Sequence, residues 1–190
     1  MKRTCLLLFG SVAIILMSCK KENGVVQQPA TESTTTFKVN FPLTTYTLFS
    51  FKNNAVVANT DSNSTKWDFA LRRTTFLVNS NASGPGTAGV IMQDGIFDKL
   101  NTAPASGYSY DTAFNKFAIK DGLWYDYNPT TRAFVPKAGK VFIFRTADNK
   151  YAKMEILEAT YDPFVGMTPD KINYKIRFVY QADGSTSLVK

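Results

Sequence analysis

KINYKIRFVY, residues 171–180, decides the fold. Ile172, Tyr174, Ile176, Phe178 and Tyr180 occupy every second position, with polar or charged residues between most of them. A period of two puts one apolar face on a strand and leaves the other face for solvent. Just upstream, KVFIFR at 140–145 and YAKMEIL at 151–157 flank the turn residues Asp148-Asn149, which predicts a β-hairpin. Further out, Phe37, Val39 and Phe41 alternate with Lys38 and Asn40. Residues 46–51 (YTLFSF) and 67–71 (WDFAL) are also strand-like, and Asn53-Asn54 marks a turn before a returning strand at 55–57. NSNASGPGTAG, residues 79–89, lacks the Gly-Lys-Ser/Thr ending of a phosphate loop and reads as a long turn or bulge between strands. Residues 91–108 mix Gly, Pro and Asn with isolated apolar residues, with room for one short helix at 95–100. No long amphipathic helix occurs, and aromatic residues make up 14% of the chain. The expected fold is mainly β, an antiparallel, sandwich-like domain with few short helices.

The amino end reads differently. Met1-Lys2-Arg3 is a short positive segment, and residues 6–17 form an apolar run of signal-peptide length. Leu16-Met17-Ser18-Cys19 has the order apolar, variable, small, cysteine, which marks a lipoprotein cleavage site. Cys19 would then carry acyl chains, each buried methylene adding about 0.8 kcal/mol to membrane anchoring. The expected organisation is a signal peptide at 1–18, a lipidated start and flexible tether at 19–36, and one β domain at 37–190. Lys20-Lys21-Glu22 is a weak sorting signal toward the outer surface. The only other cysteine, Cys5, leaves with the signal peptide, so the mature domain has no disulfide and depends on an apolar core. About 150 residues suffice for one such core.

Composition narrows the chemistry. The chain has no histidine. That removes imidazole bases, Ser-His-Asp and Cys-His arrangements, and most transition-metal sites. No Gly-x-Ser-x-Gly occurs, and Asp61, Asp68, Asp94, Asp98 and Asp111 lack calcium-loop spacing. A binding protein is expected rather than an enzyme. The net charge of +7 is dispersed, with no basic run beyond two residues. In an exported chain this argues against a nucleic-acid partner. It either favours anionic ligands or only solubilises. Trp124-Tyr125-Asp126-Tyr127, between Gly122 and Pro129, either lines a flat apolar pocket or packs as core and edge.

Several segments, taken together, resemble the HmuY-like lipoproteins of the Bacteroidetes. They are Trp67 to Arg73 (WDFALRR), the glycine-rich 79–89, Ala103-Pro104, Trp124 to Tyr127, Pro136, RTADNKYAK at 145–153 and FVYQADG at 178–184. Their order and spacing span almost the whole mature domain. The resemblance implies a hand-shaped β fold and an outer-membrane lipoprotein, on the cell surface or the periplasmic face. It also implies that the protein captures haem, a small planar ligand, and passes it to a TonB-dependent transporter. In that family two side chains grip the iron, His in the founding member and Met in some relatives. The family's histidine follows Thr-Thr, where this chain has Arg132, and a guanidinium cannot ligate iron. The axial candidates left are Tyr125, Tyr127, Met92 and Met167. Arg132, Arg72 and Arg73 are candidates for a propionate or another anion, and Trp124 for a pocket wall. The alternative is a surface accessory or adhesion-type module on the same scaffold, without haem.

Overall fold

The computed structural model describes residues 28–42, 45–113 and 115–190. The signal peptide, Cys19 and most of the tether expected from the sequence lie outside the described residues. The strands, in chain order, are β1 (Thr31–Asn40), β2 (Thr47–Ser50), β3 (Ala55–Val57), β4 (Phe69–Arg72), β5 (Thr75–Val78), β6 (Gly89–Asp94), β7 (Tyr125–Asn128), β8 (Ala133–Pro136), β9 (Lys140–Arg145), β10 (Tyr151–Tyr161), β11 (Phe164–Val165), β12 (Thr168–Pro169) and β13 (Lys171–Gln181). The short helix expected at 95–100 is a single 3-10 turn, Phe97–Lys99.

Two antiparallel sheets build the body. One has the order β1-β13-β10-β9-β6, the other β3-β2-β4-β5. The alternation in 171–181 does what it predicts: Ile172, Tyr174, Ile176 and Phe178 are buried in the main core. They meet Phe49, Phe51, Phe69 and Phe76 from the smaller sheet, for example Phe51 against Phe178 at 5.2 Å and Phe69 against Phe144 at 5.7 Å. Each fully buried ring contributes about 1.5–3 kcal/mol of transfer free energy. On the outer face of the larger sheet, Val141, Ile143 and Val179 are covered by Phe97, Ala103 and Leu188. Lys153 is buried there, its Nζ donating to the carbonyls of Phe97 and Leu100 at 2.8 Å each. Burial pulls its ammonium below the ordinary lysine value.

The first strand begins upstream of Phe37: TESTTT at 31–36 is the first half of β1, paired with β13 from Thr31↔Tyr180 to Thr36↔Lys175. β1 is an edge strand, and none of the residues in its first half is buried. Its backbone pairing, rather than apolar side chains, holds it in place, so no alternation signals it.

Polar side chains from two of the resembling segments turn out to be clamps. Asp68 accepts hydrogen bonds from the backbone N–H of Phe51 at 2.8 Å and of Ala147 at 2.9 Å, tying the smaller sheet to the β9–β10 turn. Burial, against the pull of those two N–H groups, pushes its carboxyl up to about 6. Asn79 donates to the carbonyls of Ser64 and Trp67 and accepts from Gly86 N–H, at 2.7–2.9 Å. The glycine-rich loop closes over it: a Cβ at Gly84 would stand 2.2 Å from Asn79 Oδ1 and 2.7 Å from the Trp67 ring. Asp111 is likewise a structural carboxylate, accepting from Val78 and Ala118 N–H at 2.9 and 2.7 Å.

Candidate functional site

The candidate site forms where two small hairpins face each other beyond the end of the core. β7 and β8 pair as Tyr125↔Pro136 to Asn128↔Ala133. The connecting turn is fixed by Asn128, whose Oδ1 accepts from the N–H groups of Thr130 and Thr131 at 3.0 and 3.1 Å. Tyr125 and Tyr127, two residues apart on one strand, share a face. Both pack on Phe134, with centroids 5.0 and 5.3 Å away. The second hairpin, β11 with β12, turns at Gly166 (φ +72°) and Met167.

Tyr161 joins the two hairpins. Its ring lies 6.3 Å from Phe134, 6.1 Å from Phe164 and 5.9 Å from Phe41. A β-bulge aims it there. Along the first half of β10, even-numbered Ala152, Met154 and Ile156 face the core. The register to β13 then slips by one residue between Ile156 and Glu158, leaving Leu157 as the extra residue, 40% exposed. Beyond the slip, odd-numbered Ala159 and Tyr161 turn to the core side, opposite Tyr174 and Ile172.

Between the hairpins lies a pocket of about 450 Å³, within the ordinary range for small-ligand sites. Rings from Phe41, Tyr125, Tyr127, Phe134, Tyr161 and Phe164 line it, together with Met167, Arg73 and Arg132. Its lining contains two guanidinium groups and no carboxylate. Neither arginine makes an ion pair among the described residues. The Arg73 guanidinium stacks 4.3 Å from the centre of the Phe41 ring. A larger depression of about 680 Å³ is lined by Ser109, Tyr110, Thr112 and residues 115–121. Among the described residues its lining includes Lys116, Lys120 and Asp121 and two rings, Tyr110 and Phe117.

Five sequence candidates therefore meet at one place: Tyr125, Tyr127, Met167, Arg73 and Arg132. Three do not. Met92 lies in β6 opposite Phe142 and packs against the main core. Arg72 stacks on Tyr46 at 4.4 Å and lines no part of the pocket. Trp124, expected as a wall, is 1% exposed and sits beneath it, edge-on to Phe76 at 5.7 Å and to Tyr125 at 4.8 Å. An indole this large gains more from the core than from a half-open pocket. Phe41, Phe134, Tyr161, Phe164 and Pro169 were not anticipated. The exposed apolar Phe164 and Met167 between Pro163 and Pro169 were the one local hint of them.

The donors differ in how far they are committed. Tyr125 donates its hydroxyl to Asp121 at 3.0 Å. Burial, reinforced by that carboxylate, raises its phenol above the ordinary value, so it resists becoming a phenolate. Tyr161 donates to the Arg132 carbonyl at 2.7 Å. The Tyr127 hydroxyl has no hydrogen-bond partner among the described residues, and its side of the hairpin is open, 51% exposed. Met167 is 80% exposed. The residues present fit a flat aromatic group bearing carboxylates: rings for its faces, guanidinium groups for its charges, and a thioether and a free phenol as soft and oxygen donors.

Comparison with solved structures shows the fold. The chain is similar to an apo HmuY analogue from Tannerella forsythia, with TM-score 0.54 and 15% identity, covering 80% of this chain and 98% of that one. A candidate HmuY-like heme-binding protein from Bacteroides vulgatus gives TM-score 0.49 and 13% identity over 78% and 92% of the two chains. A candidate lipoprotein from Bacteroides fragilis gives 0.48 and 14% over 75% and 88%. No family model and no curated protein matches the sequence. The first likeness establishes an HmuY-like fold for this chain.

Proposed function

We propose that this chain is a haem-binding lipoprotein whose ligand seats between the β7–β8 and β11–β12 hairpins. One observation carries the reading: a ring-lined pocket of about 450 Å³ holds two arginines and no carboxylate. Haem is a flat apolar macrocycle with two carboxylates on one edge, and iron-bound porphyrin supplies a centre that takes axial donors. Tyr125, Tyr127, Phe134 and Phe164 would cover its faces. Arg73 and Arg132 would hold the carboxylates, and Tyr127 and Met167 are the donors free to approach iron. The fold likeness supports the same reading at the level of the scaffold. Anchoring through Cys19, on the strength of its cleavage motif, and an outer-membrane place with delivery to a TonB-dependent transporter, on the strength of the sequence resemblance, complete the proposal.

Titrating haemin into the full chain in detergent, against a detergent-only blank, tests the ligand. The expected result is a shifted Soret band that saturates at one equivalent. An unchanged spectrum at micromolar haemin removes the proposal. Mass spectrometry of the native amino end tests the anchor: an intact Met1 end, without acyl chains, would remove that part alone.

A further inference from the structure

Six non-glycine residues among those described have left-handed backbone conformations. Four are Asn, the side chain that tolerates this region best after glycine. The other two are Arg73 (φ +51°) and Arg132 (φ +58°), both in the pocket. Each sits in a hairpin turn, and each has its carbonyl held by a tyrosine hydroxyl: Tyr174 to Arg73 at 2.9 Å and Tyr161 to Arg132 at 2.7 Å. Tyr174 is fully buried, and Tyr161 is placed by the bulge. Arg73 is also tied to β1, its N–H donating to the Asn40 carbonyl at 3.3 Å. Its Nε is buried without a hydrogen-bond partner.

At both turns the left-handed position is taken by a long charged side chain in place of the glycine or asparagine that suits it best, and its carbonyl is fastened to a tyrosine hydroxyl. Met167, by contrast, projects from a short turn and is 80% exposed. The backbone positions of the two arginines are thus fixed, while the Arg132 side chain is itself exposed toward the pocket mouth. We propose that Arg73 and Arg132 form a preset clamp for the carboxylate edge of a tetrapyrrole. The pocket then selects the dicarboxylate ring and takes metal-free porphyrin about as well as haemin. This rests on the haem reading above and is separable from it.

The test compares three ligands on the full chain in detergent: haemin by absorbance, and protoporphyrin IX and its dimethyl ester by fluorescence. The clamp predicts that protoporphyrin binds within five-fold of haemin and that the neutral ester binds at least ten-fold more weakly. Arg73→Gln with Arg132→Gln should weaken both diacids at least ten-fold, with the melting temperature reporting that the fold survives. The ester comparison needs no variant and stands if the double variant does not fold. Protoporphyrin more than five-fold weaker than haemin, or an ester as tight as the diacid, overturns the clamp while haem binding stands. If neither haemin nor protoporphyrin binds, the haem reading and the clamp fall together.

Discussion

The two ends of the molecule treat polar groups in opposite ways. Around Trp67, Asp68 and Asn79, every amide and carboxylate oxygen of the two polar side chains is engaged. Asp68 takes two backbone N–H groups and Asn79 makes three hydrogen bonds, all in near-complete burial. Around the hairpins, among the described residues, guanidinium groups lack carboxylate partners and a phenol lacks a hydrogen bond, and Phe164, Tyr127 and Met167 are exposed at 47%, 51% and 80%. A buried polar group without partners costs about 1–3 kcal/mol, so the first arrangement secures the fold. Apolar rings left in water beside unpaired cations gain only when something covers them, so the second suits a ligand.

The contrast can be broken from its strongest side first. Asn79→Ala removes three hydrogen bonds and leaves buried partners unsatisfied, so urea unfolding should show a loss of about 4 kcal/mol. Haemin affinity of the fraction still folded should stay within two-fold. A loss under 1 kcal/mol would mean that the clamp region is not what secures the sheets.

Asp68 gives the next effect, through pH. Its carboxyl, held at about 6 by burial, keeps its proton more tightly in the folded chain than in the unfolded one. Its contribution to stability is therefore greatest below about pH 4, falls as pH rises from about 4 to about 6, and is flat above that. The difference between the wild type and Asp68→Asn should carry this slope, worth about 3 kcal/mol across the window. A difference independent of pH would show that Asp68 titrates as an ordinary carboxylate. At the hairpins, Phe164→Ala with Met167→Ala should change stability by no more than about 0.5 kcal/mol while lowering haemin affinity at least three-fold. A larger stability loss would make that end part of the core.

The same contrast explains what could be read from the chain. Strands rich in core residues announce themselves, 171–181 by its alternation and 140–145 as an apolar run buried on both faces, with 151–156 as its hairpin partner. Most of the motifs that resemble HmuY-like proteins proved to be fold devices, with Arg73, Tyr125 and Tyr127 the members that reach the pocket. Asp68 and Asn79 clamp, Lys153 secures the 97–100 turn, and Gln181 donates to the carbonyls of Gln28 and Ser187. They therefore spoke clearly for the scaffold and only indirectly for a ligand. The polar half of β1 was hidden because an edge strand needs partners on one side only. The pocket was half legible. Its arginines and two tyrosines stood out as residue types, but Phe41, Phe134, Tyr161 and Phe164 come from distant segments. The bulge that aims Tyr161 reverses the alternation at Leu157, so a strict period of two assigns that ring to the wrong face.

Hydrogen–deuterium exchange on the full chain, with and without one equivalent of haemin, tests the seat of the ligand most directly. Added protection should concentrate in residues 123–136 and 161–169, with little change at 109–120. Protection along 109–120 with the two hairpins unaltered would place the ligand in the larger depression and contradict the account.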